Sequence, residues 1–362
     1  MCDTRTITVN ALSMASTSSR SLKKAHLRRW ASPFVTAAYS SYASLLRARP
    51  PCTWAFLSNL PVQRAFQRCL LVLLVLAAWL PGTVGAVTVR DAVGRTVEVP
   101  DEPRRIVSLA PNLTEMLYAL GLGDRVAGVT LFCDWPPEVA AKPKIGGVIN
   151  PSLETIVALG ADLVLATADG NRPEDVNRLA ALGVAVFTID TRSVADVLRS
   201  LVTIGEITGR AARAREIAAG LERRCETVRS RVAGSAPVTV FVAIDRAPLI
   251  SAGGGTFVGE LLVLAGGSNI AGTSPIKYPV FSLEQLLADD PEVILDAADP
   301  GPVSSAELVA RWSSLPGTSA LKALRTGRMI SVGQGSFFRP GPRIMDSLEQ
   351  LVAILHPAGA RQ

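Results

Sequence analysis

The stretch GRAARAREIAAGLERRCETVRSRVA, residues 209–233, decides the fold. Its apolar positions Ala214, Ile217, Ala218, Leu221, Cys225, Val228 and Val232 recur at helical spacing, and arginine and glutamate dominate the positions between them. Gly220 is the one interruption, and no proline falls inside. That pattern is one long amphipathic helix, roughly 35 Å from end to end at 1.5 Å per residue. On each side lies a segment holding a version of one phrase, PSLETIVALGADLVL at 151–165 and FSLEQLLADDPEVIL at 281–295. Two related lobes joined by the 209–233 helix is the architecture this predicts.

Working outward, alternating residues over 87–99, with a turn near Ala92-Val93-Gly94, predict a hairpin. Apolar runs at 105–109, 126–130, 162–166 and 184–189 read as strands, and 153–159, 173–182 and 194–208 as helices. Asn112 with Glu115 three residues later reads as a capping pair opening a helix through Leu120. The second half repeats the rhythm: strands at 238–244, 293–295 and 329–332, and helices at 256–265, around Glu284, at 304–312 and at 344–355. Strands alternating with helices imply parallel sheets covered on both faces. The expected fold class is therefore α/β: two doubly wound lobes, 87–208 and 234–362, joined by a single long helix with a ligand cleft between them.

Charge is unevenly placed. Ten of the 37 Lys and Arg residues but one of the 31 acidic residues lie in residues 1–86, which leaves 27 basic and 30 acidic residues in the remaining 276. The net +6 thus belongs to the leader, and nucleic acid is excluded as a partner for want of a basic surface. Residues 1–60, rich in Ser, Ala and Arg, read as the product of a misassigned start codon. Arg64 and Arg68, the apolar run Cys69–Leu80 and the small residues Val84-Gly85-Ala86 form an export signal cleaved near Ala86, which places the mature protein in the periplasm. That run is too short for a membrane span of about 20 residues.

Chemistry-bearing residues are sparse after the leader. His356 is the one histidine there, and Cys133 and Cys225 have no metal-like spacing. No phosphate loop, nucleophile elbow or dinucleotide fingerprint occurs. The class rival, a secreted α/β hydrolase, would need a nucleophile with a base in reach, and no histidine lies in any candidate loop. Gly253-Gly254-Gly255 reads as a tight turn rather than an anion cradle. The aromatic residues gather in strand-to-helix loops: Phe132 and Trp135, Tyr278 and Phe281, Phe337 and Phe338, the last pair followed by Arg339. In doubly wound lobes those loops meet at the ligand site. Glu154 and Glu284 take equivalent places in the repeated phrase, where the helix dipole already favours a carboxylate.

Across residues 87–355 the chain resembles the substrate-binding proteins of ATP-driven (ABC) importers whose lobes are joined by one rigid helix, a class that handles cobalamin, ferric siderophores and haem. RIVSLAPNLTE at 105–115 is similar to its opening strand and loop, and NPSLE at 150–154 to its middle signature. FCDWPPE at 132–138 and AGGSNI at 265–270 are most similar to the cobalamin branch. The resemblance implies a ligand site of Phe132, Trp135, Leu249, Tyr278, Phe337 and Arg339. Phe132 stands for a pocket tyrosine, Tyr278 for a tryptophan and Arg339 for an arginine. Val148, Leu249 and Gly335 depart from a tryptophan, a phenylalanine and an aspartate. The resemblance also implies that Glu154 and Glu284 dock on arginine pockets of the two permease subunits. It calls for no catalysis, no cofactor and no metal, and for a monomer that takes cobalamin or a related corrinoid as its ligand, with siderophore or haem as the alternative.

Overall fold

The computed structural model describes residues 85–333 and 337–357. The expected leader lies outside them save for Gly85 and Ala86, as does Gly335. Chain order begins with an antiparallel hairpin, β1 (Ala86–Arg90) and β2 (Thr96–Pro100), in register Ala86 to Pro100 and Arg90 to Thr96. Asp91 closes its turn by accepting the Val93 and Arg95 amides. The Arg95 guanidinium ties the hairpin to the first sheet through Thr188 Oγ1 at 2.8 Å.

The first lobe runs β3 (Ile106–Ser108), α1 (Pro111–Ala119), β4 (Val126–Val129), α2 (Leu153–Ala158), β5 (Leu163–Thr167), α3 (Pro173–Ala181), β6 (Val186–Ile189) and α4 (Val194–Ile207). Its sheet has the order β4-β3-β5-β6, all parallel. Every residue of β3, β5 and β6 is buried, as helices on both faces require. Then comes α5 (Ala211–Val232), the joining helix, 22 residues long. Ala214, Leu221, Cys225 and Val228 are its buried stripe. Gly205 on α4 lets the two helices close up, since a Cβ there would stand 2.3 Å from that of Ala214.

The second lobe comprises β7 (Val238–Ala243), the two-residue strands β8 (Asp245–Arg246) and β9 (Leu249–Ile250), α6 (Phe257–Leu264), β10 (Gly267–Asn269), α7 (Leu283–Asp289), β11 (Val293–Asp296), α8 (Ser305–Ser313), α9 (Lys322–Arg325), β12 (Met329–Ser331) and α10 (Ile344–Leu355). Its parallel sheet has the order β10-β7-β11-β12. One apolar cluster passes from Leu113 and Leu201 through Leu221 and Cys225 to Leu261 and Leu348, so the lobes share a core along α5. Among the described residues no helix is long and apolar enough to cross a membrane.

One local expectation is corrected. Asn112 and Glu115 do not cap α1: the helix starts at Pro111, whose fixed φ and missing N–H suit the first position, and its N-cap Ala110 offers no side-chain bond. Both residues instead point away from the helix start toward the other lobe.

Candidate functional site

Loops leaving the carboxyl ends of parallel strands are where such sheets hold ligands. Here the loops of the two lobes face each other. Lys277, in the segment after β10, pairs with Asp169, after β5, at 3.0 Å. Residues 339–343 of the second lobe reach α1 of the first. Asn112 Nδ2 donates to the Pro340 carbonyl at 3.4 Å, and Glu115 binds two arginines: Arg339 Nη1 to Oε1 at 2.9 Å, and Arg343 Nη2 to Oε1 at 2.6 Å with Nε to Oε2 at 3.0 Å. Gly341 passes so near that a Cβ would lie 3.3 Å from Glu115 Oε2. On the far side Glu260 of α6 accepts the Val194 amide at the start of α4, 2.8 Å away.

The loop after β4 carries the first group of site residues. It is pinned from beneath by Cys133, whose Sγ lies 3.1 Å from both Thr114 Oγ1 and Thr130 Oγ1, and by Lys144, which donates to the Cys133 carbonyl. Its neighbours are thereby turned outward: Phe132 is 61% and Trp135 44% exposed. The Arg343 guanidinium sits 4.6 Å over the Trp135 ring, a cation–π contact. Asp134, between the two rings, accepts a second bond from Arg339 Nη1 at 2.7 Å.

Electrostatics follow from this geometry. Burial works against the Arg339 charge, but the hydrogen bonds to Asp134 and Glu115 outweigh it and raise its pKa. Burial likewise opposes ionisation of Asp134, and the Arg339 bond, the Arg339 and Arg343 charges and a backbone bond together outweigh it, holding its carboxyl below the ordinary value. Tyr278 is 54% exposed. Its hydroxyl is pushed up, first by desolvation and then by the Asp169 charge.

The residues expected from the sequence divide. Phe132, Trp135 and Tyr278 present rings to the solvent side of the cleft loops. Arg339 is there too, its side chain 11% exposed and held between two carboxylates. Phe337 is instead packed into the shared core and edge-on against Phe338, which leaves its ring little surface for a ligand. Leu249, half-buried in β9, packs on the second-lobe cluster of Phe241, Leu286 and Trp312. His356 lies beyond α10, its Nε2 3.2 Å from the Ala265 carbonyl. Glu115, Asp134 and Arg343 were not anticipated. The Asp between two aromatics at 132–135 is visible as a motif and Arg339 as a candidate, but their pairing across 205 residues is not.

Glu154 and Glu284 occupy matching positions. Ser152 caps α2 by accepting the Thr155 amide, Ser282 caps α7 by accepting the Gln285 amide, and the glutamates follow two residues later, both exposed. Beside Glu154 the surface of α2 and α3 leaves an apolar groove of about 700 Å³ lined by Leu153, Val157, Ala158, Ala181 and Leu182, with Arg178 at its edge.

Comparison with known proteins agrees with this arrangement. Residues 106–334 match the periplasmic binding protein family. The vitamin B12-binding protein of Photorhabdus laumondii is 30% identical over 258 residues, covering 71% of this chain and 90% of the relative. The crystal structure of the periplasmic vitamin B12 binding protein BtuF of Vibrio cholerae superposes with a TM-score of 0.64 at 26% identity, covering 72% of this chain and all of that one. The periplasmic haem-binding protein RhuT from Roseiflexus sp. RS-1 superposes with a TM-score of 0.63 at 26% identity, over 70% of this chain and 98% of that one. With the match spanning most of both lobes, the chain belongs to the periplasmic binding protein family.

Proposed function

We propose that this protein is exported to the periplasm, captures cobalamin or a related corrinoid in the cleft between its lobes, and delivers it to an ABC-type membrane importer without making or breaking a bond. The observation that carries the reading is the set of three exposed rings, Phe132, Trp135 and Tyr278, on loops at the carboxyl ends of the strands of both lobes. A corrin is a broad, partly apolar macrocycle edged with amides. Exposed rings supply its apolar contacts, while Arg339, which bonds both carboxylates through Nη1, can donate to an amide oxygen.

Haem is the second reading, favoured by the likeness to RhuT. Its ferric iron usually takes an axial His or Tyr. His356 bonds the Ala265 carbonyl, which leaves Tyr278 as the one candidate ligand among the described exposed loop residues. The corrinoid is therefore preferred.

On this reading residues 87–208 and 234–362 act as ligand-gripping lobes about the 209–233 helix, the protein works as a monomer, and Glu154 and Glu284 are its anchors on the two permease subunits. Titration calorimetry with cyanocobalamin tests the site. Tyr278→Ala and Phe132→Ala should each weaken binding by about 1 to 3 kcal/mol, the scale for a buried aromatic contact. Unchanged affinity in both variants would put the ligand elsewhere.

A further inference from the structure

Two arginines share one carboxylate at the cleft. Arg339 and Arg343 both bond Glu115, whose side chain is 3% exposed. Alone, that trio would carry one uncompensated positive charge. Asp134 removes it by pairing with Arg339 at 2.7 Å. The two carboxylates differ in setting: Glu115 is buried where the lobes meet, whereas the Asp134 side chain is 66% exposed. An ion pair with so exposed a member adds little to stability, so the position of Asp134, between the exposed rings of Phe132 and Trp135, wants another reason. Two other cations at the facing loops are matched in the same way, Lys277 by Asp169 and Arg192 by Asp190.

We infer that Asp134 is a specificity-determining residue, which cancels the charge of Arg339 so that the cleft favours ligands without net charge over ligands that present carboxylates. The inference rests on the proposed reading of this cleft as the ligand site. A neutral amide oxygen can use Nη2, which bonds none of the described residues, while Asp134 stays in place. A carboxylate arriving there meets Asp134 first, and must displace it or bear its repulsion. Haem, with two propionates at its edge, is a ligand of the second kind; a corrinoid edged with amides is of the first.

The test is Asp134→Asn, which keeps the shape and an acceptor oxygen while removing the charge, with Asp134→Glu as the variant that restores it. Wild type and both variants are titrated with cyanocobalamin and with hemin, at low salt and in about 0.5 M NaCl, where screening shortens charge interactions to roughly 4 Å. The expected result is that Asp134→Asn shifts the hemin-to-cobalamin affinity ratio toward hemin by about tenfold or more at low salt. Part of that shift should vanish at high salt, and Asp134→Glu should return the ratio toward wild type. An unchanged ratio in Asp134→Asn, a shift indifferent to salt, or an equal shift in Asp134→Glu overturns the inference. If wild type itself prefers hemin yet Asp134→Asn still shifts the ratio, the corrinoid assignment fails and the role of Asp134 stands. If wild type binds cobalamin and the ratio does not move, the role of Asp134 fails alone.

Discussion

Glu115 shows how one side chain can brace two lobes. It projects from α1 of the first lobe and holds Arg339 and Arg343 of the second, 224 and 228 positions further along the chain. Breaking a buried pair by removing one partner costs about 3 to 5 kcal/mol, because a charge is left without compensation. The Arg343 side chain keeps 29% of its exposure and hence some water. Glu115→Gln should therefore lower stability by about 3 kcal/mol, the lower end of that range, read from denaturant unfolding; a loss under about 1 kcal/mol would mark the network as a surface pair. None of this was legible in the sequence. Glu115 follows Asn112 by three residues, which is also the spacing of a helix cap, and local spacing carries no record of a partner two hundred residues away. The aromatic loops were legible because residues of one kind recurred at equivalent places. Phe337, expected among the cleft rings, is buried in the shared core, because a ring in a cleft loop and a ring packed beneath it look alike until burial is known.

At the scale of elements, the joining helix was readable because its buried stripe repeats at three and four residues, and the strands because sheets covered on both faces demand unbroken apolar runs. The short strands escaped. Gly267-Ser268-Asn269 pairs with β7 although glycine and asparagine are poor strand formers, and β8 and β9 have two residues each. The repeated phrase proved to be the same capped helix start twice, Ser152 and Ser282 each closing a first turn. A helix dipole alone explains one glutamate at each place, but not why both stand exposed on related surfaces of separate lobes. Two charged anchors define an axis, and would orient the cleft over a transport path. Glu154→Ala combined with Glu284→Ala should leave ligand affinity and melting temperature nearly unchanged while abolishing stimulation of uptake in vesicles holding the importer. Normal uptake by the double variant would reduce both residues to helix-start carboxylates.

Carboxylates bound to arginine or lysine shape the response of the whole molecule to acid, the most exposed of them, Asp134, contributing least. At Asp134 and Asp299 burial disfavours the charged form, but the hydrogen bonds and charges of the neighbouring arginines, Arg339 and Arg343 at the first and Arg246 and Arg311 at the second, together outweigh it. At Glu292 and Glu349 the bonds to Lys322 and Arg224 lead. All four are held below their ordinary values of 3.8 and 4.5, so the unfolded chain binds more protons and stability rises with pH. Their contribution is complete above the ordinary values and is lost as the pH falls through the lowered ones. The melting temperature should hold steady from neutral pH to about 5.5 and fall below about 4.5; a level profile down to about pH 3 would show that these pairs do not contribute.

The central claim concerns the ligand, and one experiment meets it directly. The chain beginning at Val87 is incubated with cyanocobalamin, passed through a gel-filtration column and followed by its visible spectrum. The account predicts corrinoid absorbance eluting with the protein at one per chain. Corrinoid eluting wholly as the free small molecule, while hemin is retained by the same protein under the same conditions, would contradict it.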